Sequence, residues 1–177
     1  MPYSTMRLRP AQPEDALAVA RVHVRSWQIA YRGLLPDDYL SQLRPEDRAA
    51  KYNFTHTDPQ KPYTILAEDD ALIAGFATTM PSRDPALPNY GELAALYVHP
   101  DFWNRGIGAA LIVAARTRLI EQGFRQACLW LLDGNTRAAR FYSIDGWQPT
   151  SEHRTDTVWG VTVGESRYIR ALPNISR

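Results

Sequence analysis

The sequence holds one cysteine, Cys128, among 177 residues, so no internal disulfide and no thiolate zinc cage can form within the chain. No apolar run approaches the ~18 residues needed to cross a bilayer. The opening Met1-Pro2-Tyr3-Ser4-Thr5-Met6-Arg7 also lacks the apolar core of a secretory leader. Charge of one sign is missing too: 20 Lys and Arg oppose 19 Asp and Glu, for a net charge of +1. That balance supplies neither a basic surface for nucleic acid nor an acidic solvating tail. The four histidines, His23, His56, His99 and His153, fall in unrelated segments without ligand spacing, so no metal is expected. Repeats, low-complexity tracts and linkers are absent as well. The expectation is a cytoplasmic protein of one domain, residues 1–177, that engages neither nucleic acid nor membrane.

What is present is an ordinary globular composition, 45% hydrophobic and 22% charged. After an opening strand at residues 5–9, Pro13-Glu14-Asp15 starts an amphipathic helix with Leu17, Ala20, Val24, Trp27 and Tyr31 at helical spacing, stopped by Gly33. Pro36 and Pro45 open two further helices, running through Leu43 and to about residues 57–59. The period then changes. Residues 63–68 and 72–80 around a turn at Asp69-Asp70 read as a β-hairpin, and residues 92–98 as a buried strand. A helix follows over 107–122 with Gly123 as its cap, then a strand over 127–132, a helix from Asn135 to Asp145, and a closing antiparallel pair at 147–159 and 164–172. Strand 92–98, helix 107–122 and strand 127–132 make a βαβ unit and hence a parallel pair. The fold class is therefore α/β (α+β): a mixed, mostly antiparallel sheet of about seven strands, flanked by helices on both faces.

The most informative segment carries the buried strand through a polar loop into a helix: Val98-His99-Pro100-Asp101-Phe102-Trp103-Asn104-Arg105-Gly106-Ile107-Gly108-Ala109. Such a junction leaves backbone N–H groups unpaired at the positive end of a helix dipole, where a diphosphate can bind through main chain alone. Gly106 and Gly108 admit an anion close to the backbone, and Arg105 adds a cation at the rim. The same glycines are also what a tight turn and close helix packing need. A Walker loop would require Gly-Lys-Ser/Thr, and a dinucleotide fingerprint a third glycine where Leu111 stands.

Arg105-Gly106-Ile107-Gly108-Ala109 resembles the central motif of the GNAT superfamily of acyl-CoA-dependent N-acetyltransferases, a strand followed by Gln/Arg-x-x-Gly-x-Gly/Ala at a helix start. Trp103 occupies the leading Gln/Arg position, a departure that leaves the backbone donors in place. Leu129-Trp130-Leu131-Leu132, then Asn135, Ala138, Phe141-Tyr142 and Gly146-Trp147, are similar to the family's second signature. The resemblance implies acetyl-CoA as acyl donor and a small-molecule or protein amine as acceptor. It implies that the pantetheine arm pairs with the main chain of Leu96, Tyr97 and Val98, with the Val98 N–H free to donate to an oxyanion. Trp103, Asn104 and the glycine loop through Ala109 would cradle the diphosphate, with Asn135, Ala138 and Tyr142 beside the arm. The closing hairpin can pair across a homodimer, as in some relatives.

Acyl transfer to an amine requires the neutral amine, and with a pKa near ~10.4 only about one molecule in 10³ to 10⁴ is neutral at pH 7, a penalty of roughly 4–5 kcal/mol. Glu92, on the central strand, is the candidate base by resemblance, or else a solvated strand-edge residue. Tyr142 is the candidate acid for the departing thiolate, since a phenol of pKa ~10 stays protonated at neutral pH; its plain alternative is a core aromatic beside Phe141. Trp27, Tyr31, Tyr39 and Trp159 either line an aromatic acceptor pocket or pack as core. Cys128 lies in an apolar strand and reads as a small hydrophobe. The rivals to an N-acetyltransferase are a non-catalytic acyl-CoA-binding sensor or partner module and, more weakly, a nucleotide-binding enzyme.

Overall fold

The computed structural model describes residues 5–55 and 57–173; His56 and the first four residues of the opening segment lie outside the described residues. The chain runs through β1 (Arg7–Pro10), α1 (Ala16–Ala30), α2 (Asp37–Ser41) and α3 (Pro45–Ala49), then β2 (Tyr63–Asp69), β3 (Leu72–Pro81) and β4 (Gly91–Val98). It continues with α4 (Ile107–Glu121), β5 (Gln126–Leu132), α5 (Thr136–Ile144), β6 (Gln148–Val158) and β7 (Val161–Ala171). Among the described residues the strands form one seven-stranded sheet in the order β1-β2-β3-β4-β5-β7-β6. Within it β4 and β5 are parallel and the other neighbours antiparallel.

Alternation along the strands puts helices on opposite faces of this sheet. Leu66 of β2 and Phe76 of β3 pack with Val19 and Val22 of α1. Their chain neighbours Ile65, Ala67 and Ala77 pack instead with Ile107, Leu111, Ile112 and Leu119 of α4. The start of α1 is pinned by Asp15, whose carboxylate accepts from the Gln12 N–H at 2.7 Å and from Arg9 at 2.7 and 2.8 Å.

Three boundaries differ from the sequence expectation. Helix α3 ends at Ala49 rather than near residue 57, because Asn53 forms a local turn, its Oδ1 accepting from the Thr55 N–H and hydroxyl at 3.0 and 2.7 Å. That turn leaves Tyr52 and Phe54 packed on the α1 face. The β2–β3 turn centres on Asp70-Ala71, at φ 48° and 66°, one residue later than read. The β6–β7 turn is Trp159-Gly160, at φ 56° and 80°, so β7 begins at Val161 rather than at residue 164. Two positive φ values match the tight hairpin turn that strand twist favours.

One irregularity positions everything that follows. Opposite β3, Thr78 pairs with Ala95 and Thr79 with Leu93, leaving Ala94 as an extra residue in β4. This bulge resets the alternation: Leu93 packs on the α4 face, as do Leu96 and Val98, while Ala95 and Tyr97 pack on the α1 face. Beyond it β4 parts from β5. The parallel pairing covers only Gly91 with Ala127 and Glu92 with Cys128, whereas β5 stays paired to β7 from Gln126 to Leu132.

Candidate functional site

The parting of β4 and β5 opens a cleft of about 530 Å³, in the size range of small-molecule sites. His99, just past β4, donates its N–H to the Ala74 carbonyl at 2.8 Å. In an antiparallel ladder, alternate residues face opposite sides, so the main-chain groups of Tyr97 also point to β3 and those of Leu96 and Val98 to the gap. Tyr97 therefore cannot offer its backbone there; its side chain reaches the α1 face instead, with its hydroxyl 3.4 Å from that of Tyr31. The Val98 carbonyl is already taken by Trp103 Nε1 at 2.8 Å and Ser26 Oγ at 3.1 Å. A free backbone donor remains at the Val98 N–H.

At the α4 end of the cleft, the Trp103 N–H donates to the Pro100 carbonyl at 3.2 Å, so Trp103 contributes no free amide. From Asn104 to Ala109 no N–H has a protein acceptor among the described residues; the first helix bond there runs from the Ala110 N–H to the Gly106 carbonyl at 3.0 Å. Asn104 and Gly106 both lie in the left-handed region, at φ 63° and 77°, which turns successive amides toward a common concavity. A Cβ on Gly106 would meet no protein atom within 4 Å, so this glycine serves its dihedral and leaves the concavity open. Gly108 has a different reason: its Cβ would come 3.3 Å from the Phe141 ring, so it seats α4 against α5. Arg105 lies over the Phe102 ring, 3.7 Å from Asp69.

On the opposite wall, Asn135 caps α5, its side-chain oxygen accepting from the Ala138 N–H at 3.2 Å. The cap fixes the helix that carries Tyr142, which is buried on the cleft wall against Phe141 and Trp147. Burial pushes its pKa well up. Glu92 is buried as well, and its carboxylate is gripped by Arg83, whose Nε and second guanidinium nitrogen donate at 2.9 and 3.1 Å. It is thus an ion-paired cleft residue rather than a solvated edge. Cys128 is fully buried, and burial pushes its thiol up to about 11, far from nucleophilic.

The four aromatic candidates converge. Trp27 stands edge-on to Trp159 with ring centroids 4.9 Å apart and 5.0 Å from Tyr31, and the Tyr39 hydroxyl donates to the Trp159 carbonyl at 2.6 Å. Trp27 and Tyr31 line the cleft, while Tyr39 and Trp159 support them from behind. The same rings are therefore both core and cleft wall.

Sequence reasoning missed four residues. His23, one turn before Trp27 on α1, stacks on Tyr97 at 4.6 Å and meets the Tyr52 hydroxyl at 2.8 Å. Burial and then the Arg48 charge hold its pKa well below the usual imidazole range. Arg48 of α3 reaches the cleft beside it. Glu165 of β7 also lines the cleft, paired with Arg154 at 3.0 Å; burial raises its pKa against the pull of that arginine. Arg137 of α5 stands over the Trp103 ring at 3.4 Å. A helical period flags His23 only as core, and nothing local to Arg48, Arg137 or Glu165 marks them. Among the described residues no cluster of three or more His, Cys, Asp or Glu side chains can hold a metal, and no helix is long and apolar enough to cross a membrane.

Known proteins are similar to this chain in sequence and in fold. The Acetyltransferase (GNAT) family matches residues 25–147, more than half of the chain. An uncharacterized N-acetyltransferase of Bacillus subtilis, YuaI, is 29% identical over 128 residues, 72% of each chain. A GCN5-related N-acetyltransferase structure from Rhodopseudomonas palustris superimposes with a TM-score of 0.74 at 24% identity, covering 97% of this chain and 99% of that one. The PaiA N-acetyltransferase of Thermoplasma acidophilum, solved in complex with coenzyme A, superimposes with a TM-score of 0.69 at 18% identity over 92% and 98%.

Proposed function

Because this chain belongs to the Acetyltransferase (GNAT) family, we propose that it moves an acetyl group from acetyl-CoA to an amine by direct attack in a ternary complex. The observation that carries the reading is the run of unclaimed amides from Asn104 to Ala109, set beside the gap between β4 and β5. Those donors, with the helix dipole behind them, suit the diphosphate of CoA. The exposed main chain of Leu96 and Val98 gives the pantetheine arm an edge to pair with.

In the reaction the amine nitrogen attacks the thioester carbonyl carbon. The C–N bond forms, the carbonyl oxygen gains negative charge beside the Val98 N–H, and the C–S bond then breaks. Glu92 receives the ammonium proton through water. Its two oxygens accept from Arg83, but a carboxylate has about four acceptor sites, so room remains for the water. Tyr142 gives its proton to the departing thiolate and regains one from the nitrogen as the amide forms. Burial raises the pKa of the phenol, yet it also raises that of a sulfur anion in the same place, as Cys128 illustrates at about 11. The two therefore move in the same direction.

A thiol-release assay with acetyl-CoA and a panel of primary amines tests the proposal. Release that depends on an amine supports it; tight CoA binding without release from any amine identifies a sensor instead.

A further inference from the structure

We propose that the acceptor is an amino acid, an amine that also carries a carboxylate, and that Arg48 holds that carboxylate; this rests on the transferase reading above. The guanidinium of Arg48 lies 5.2 Å from the Tyr52 ring centroid and 5.1 Å from that of Trp159. Its Nε is shut off from water and has no hydrogen-bond partner. The two rings hold the guanidinium in place, and an arginine fork can recognise a planar anion in two-point fashion.

Of the other charges lining the cleft, Arg137 stands over Trp103 at the diphosphate end and the rest are matched. Arg83 pairs with Glu92 at 2.9 Å, and Arg154 with both Glu165 at 3.0 Å and Asp156 at 3.5 Å. Arg154 thus serves two carboxylates, which leaves a surplus negative charge on the β6–β7 side, while Arg48 has no ion-pair partner among the described residues. A cleft with an acidic surplus on one wall and a lone cation on another fits a zwitterion: the ammonium is drawn to the carboxylates and the carboxylate to Arg48. Arg48 belongs to the acceptor half, because its contacts Tyr52 and Trp159 sit in the α1-face clusters. The diphosphate cradle and Phe141 pack on the α4 face.

The test compares amines that differ only by the carboxylate: phenylalanine with phenethylamine, leucine with isoamylamine, γ-aminobutyrate with propylamine. Each is titrated into CoA-loaded protein by calorimetry and assayed for thiol release with acetyl-CoA. The expectation is that, in at least one pair, the carboxylate member binds roughly ten- to a hundredfold more tightly, as charge-assisted hydrogen bonds allow. Arg48→Met brings that ratio close to one, and Arg48→Lys, which keeps the charge without the fork, retains part of it. The inference is overturned if no carboxylate member outbinds its partner or if the preference survives Arg48→Met. The two readouts separate the readings. Amino-acid binding without thiol release sinks the transferase reading and leaves Arg48 as an anion site, whereas release that ignores the carboxylate does the reverse.

Discussion

The guanidinium carbon of Arg137 lies 3.4 Å from the centroid of the Trp103 ring. Trp103 stands where GNAT relatives carry a Gln or Arg, and its indole N–H is spent on the Val98 carbonyl, so it ties the loop to the end of β4 rather than reaching an anion. Arg137, brought in from α5, restores a cation at the mouth of the amide concavity, held flat by the indole face. Arg137→Ala is expected to weaken CoA binding about tenfold by calorimetry, with the loss shrinking at high salt. Unchanged affinity would show that Arg137 only covers the tryptophan.

Tyr142→Phe keeps the ring that packs against Trp147 and removes the proton donor. The expectation is a loss of kcat of about 10²-fold or more, in the range of general acid catalysis, with CoA affinity little changed. Equal activity in the variant removes Tyr142 from the chemistry.

Two carboxylates in the cleft are distinguishable as bases. Glu92→Gln is expected to lower kcat/KM about 10²-fold at neutral pH. The deficit should fade as pH rises toward ~10, where the amine loses its proton unaided. Glu165→Gln should leave the shape of the profile intact. The opposite pattern transfers the role to Glu165, whose raised pKa is suited to it.

His23 makes stability depend on pH. Its folded pKa is depressed by burial and by Arg48, so between that value and ~6.5 the unfolded chain binds a proton that the folded one does not. Its contribution is complete above ~6.5 and is lost as pH falls below it, by at most ~1.4 kcal/mol per pH unit. Denaturant midpoints measured at about pH 5 and pH 7 check this. His23→Gln, which keeps an acceptor for the Tyr52 hydroxyl, should flatten the slope by close to one proton; an unaltered slope contradicts the assignment.

Much of the architecture was legible because its signals are local. The glycine loop, the alternating strands and the α5 cap at Asn135 each lie within a few residues, and together they fix the βαβ unit and the succession of elements along the chain. The gap-facing main chain was not legible. Residues 92–98 are nearly all apolar, which hides the bulge at Ala94, and which amides face β5 is a matter of register with β3. Apolar character alone therefore groups Tyr97 with Leu96 and Val98. Arg48 was invisible for another reason. Its meaning comes from the turn at Asn53, which ends α3 early and folds Tyr52 back onto α1, and from the hairpin tip that sets Trp159 beside it, contacts spanning more than a hundred residues of sequence.

The amides of residues 104–109, free in the protein, are on this proposal taken by an anion when CoA binds. Backbone amide NMR during a CoA titration tests it at those very nuclei, with Gly106 and Gly108 standing apart from the crowded spectrum. These resonances are expected to shift most and to saturate together with CoA. Saturable CoA binding that leaves residues 104–109 unperturbed would contradict it.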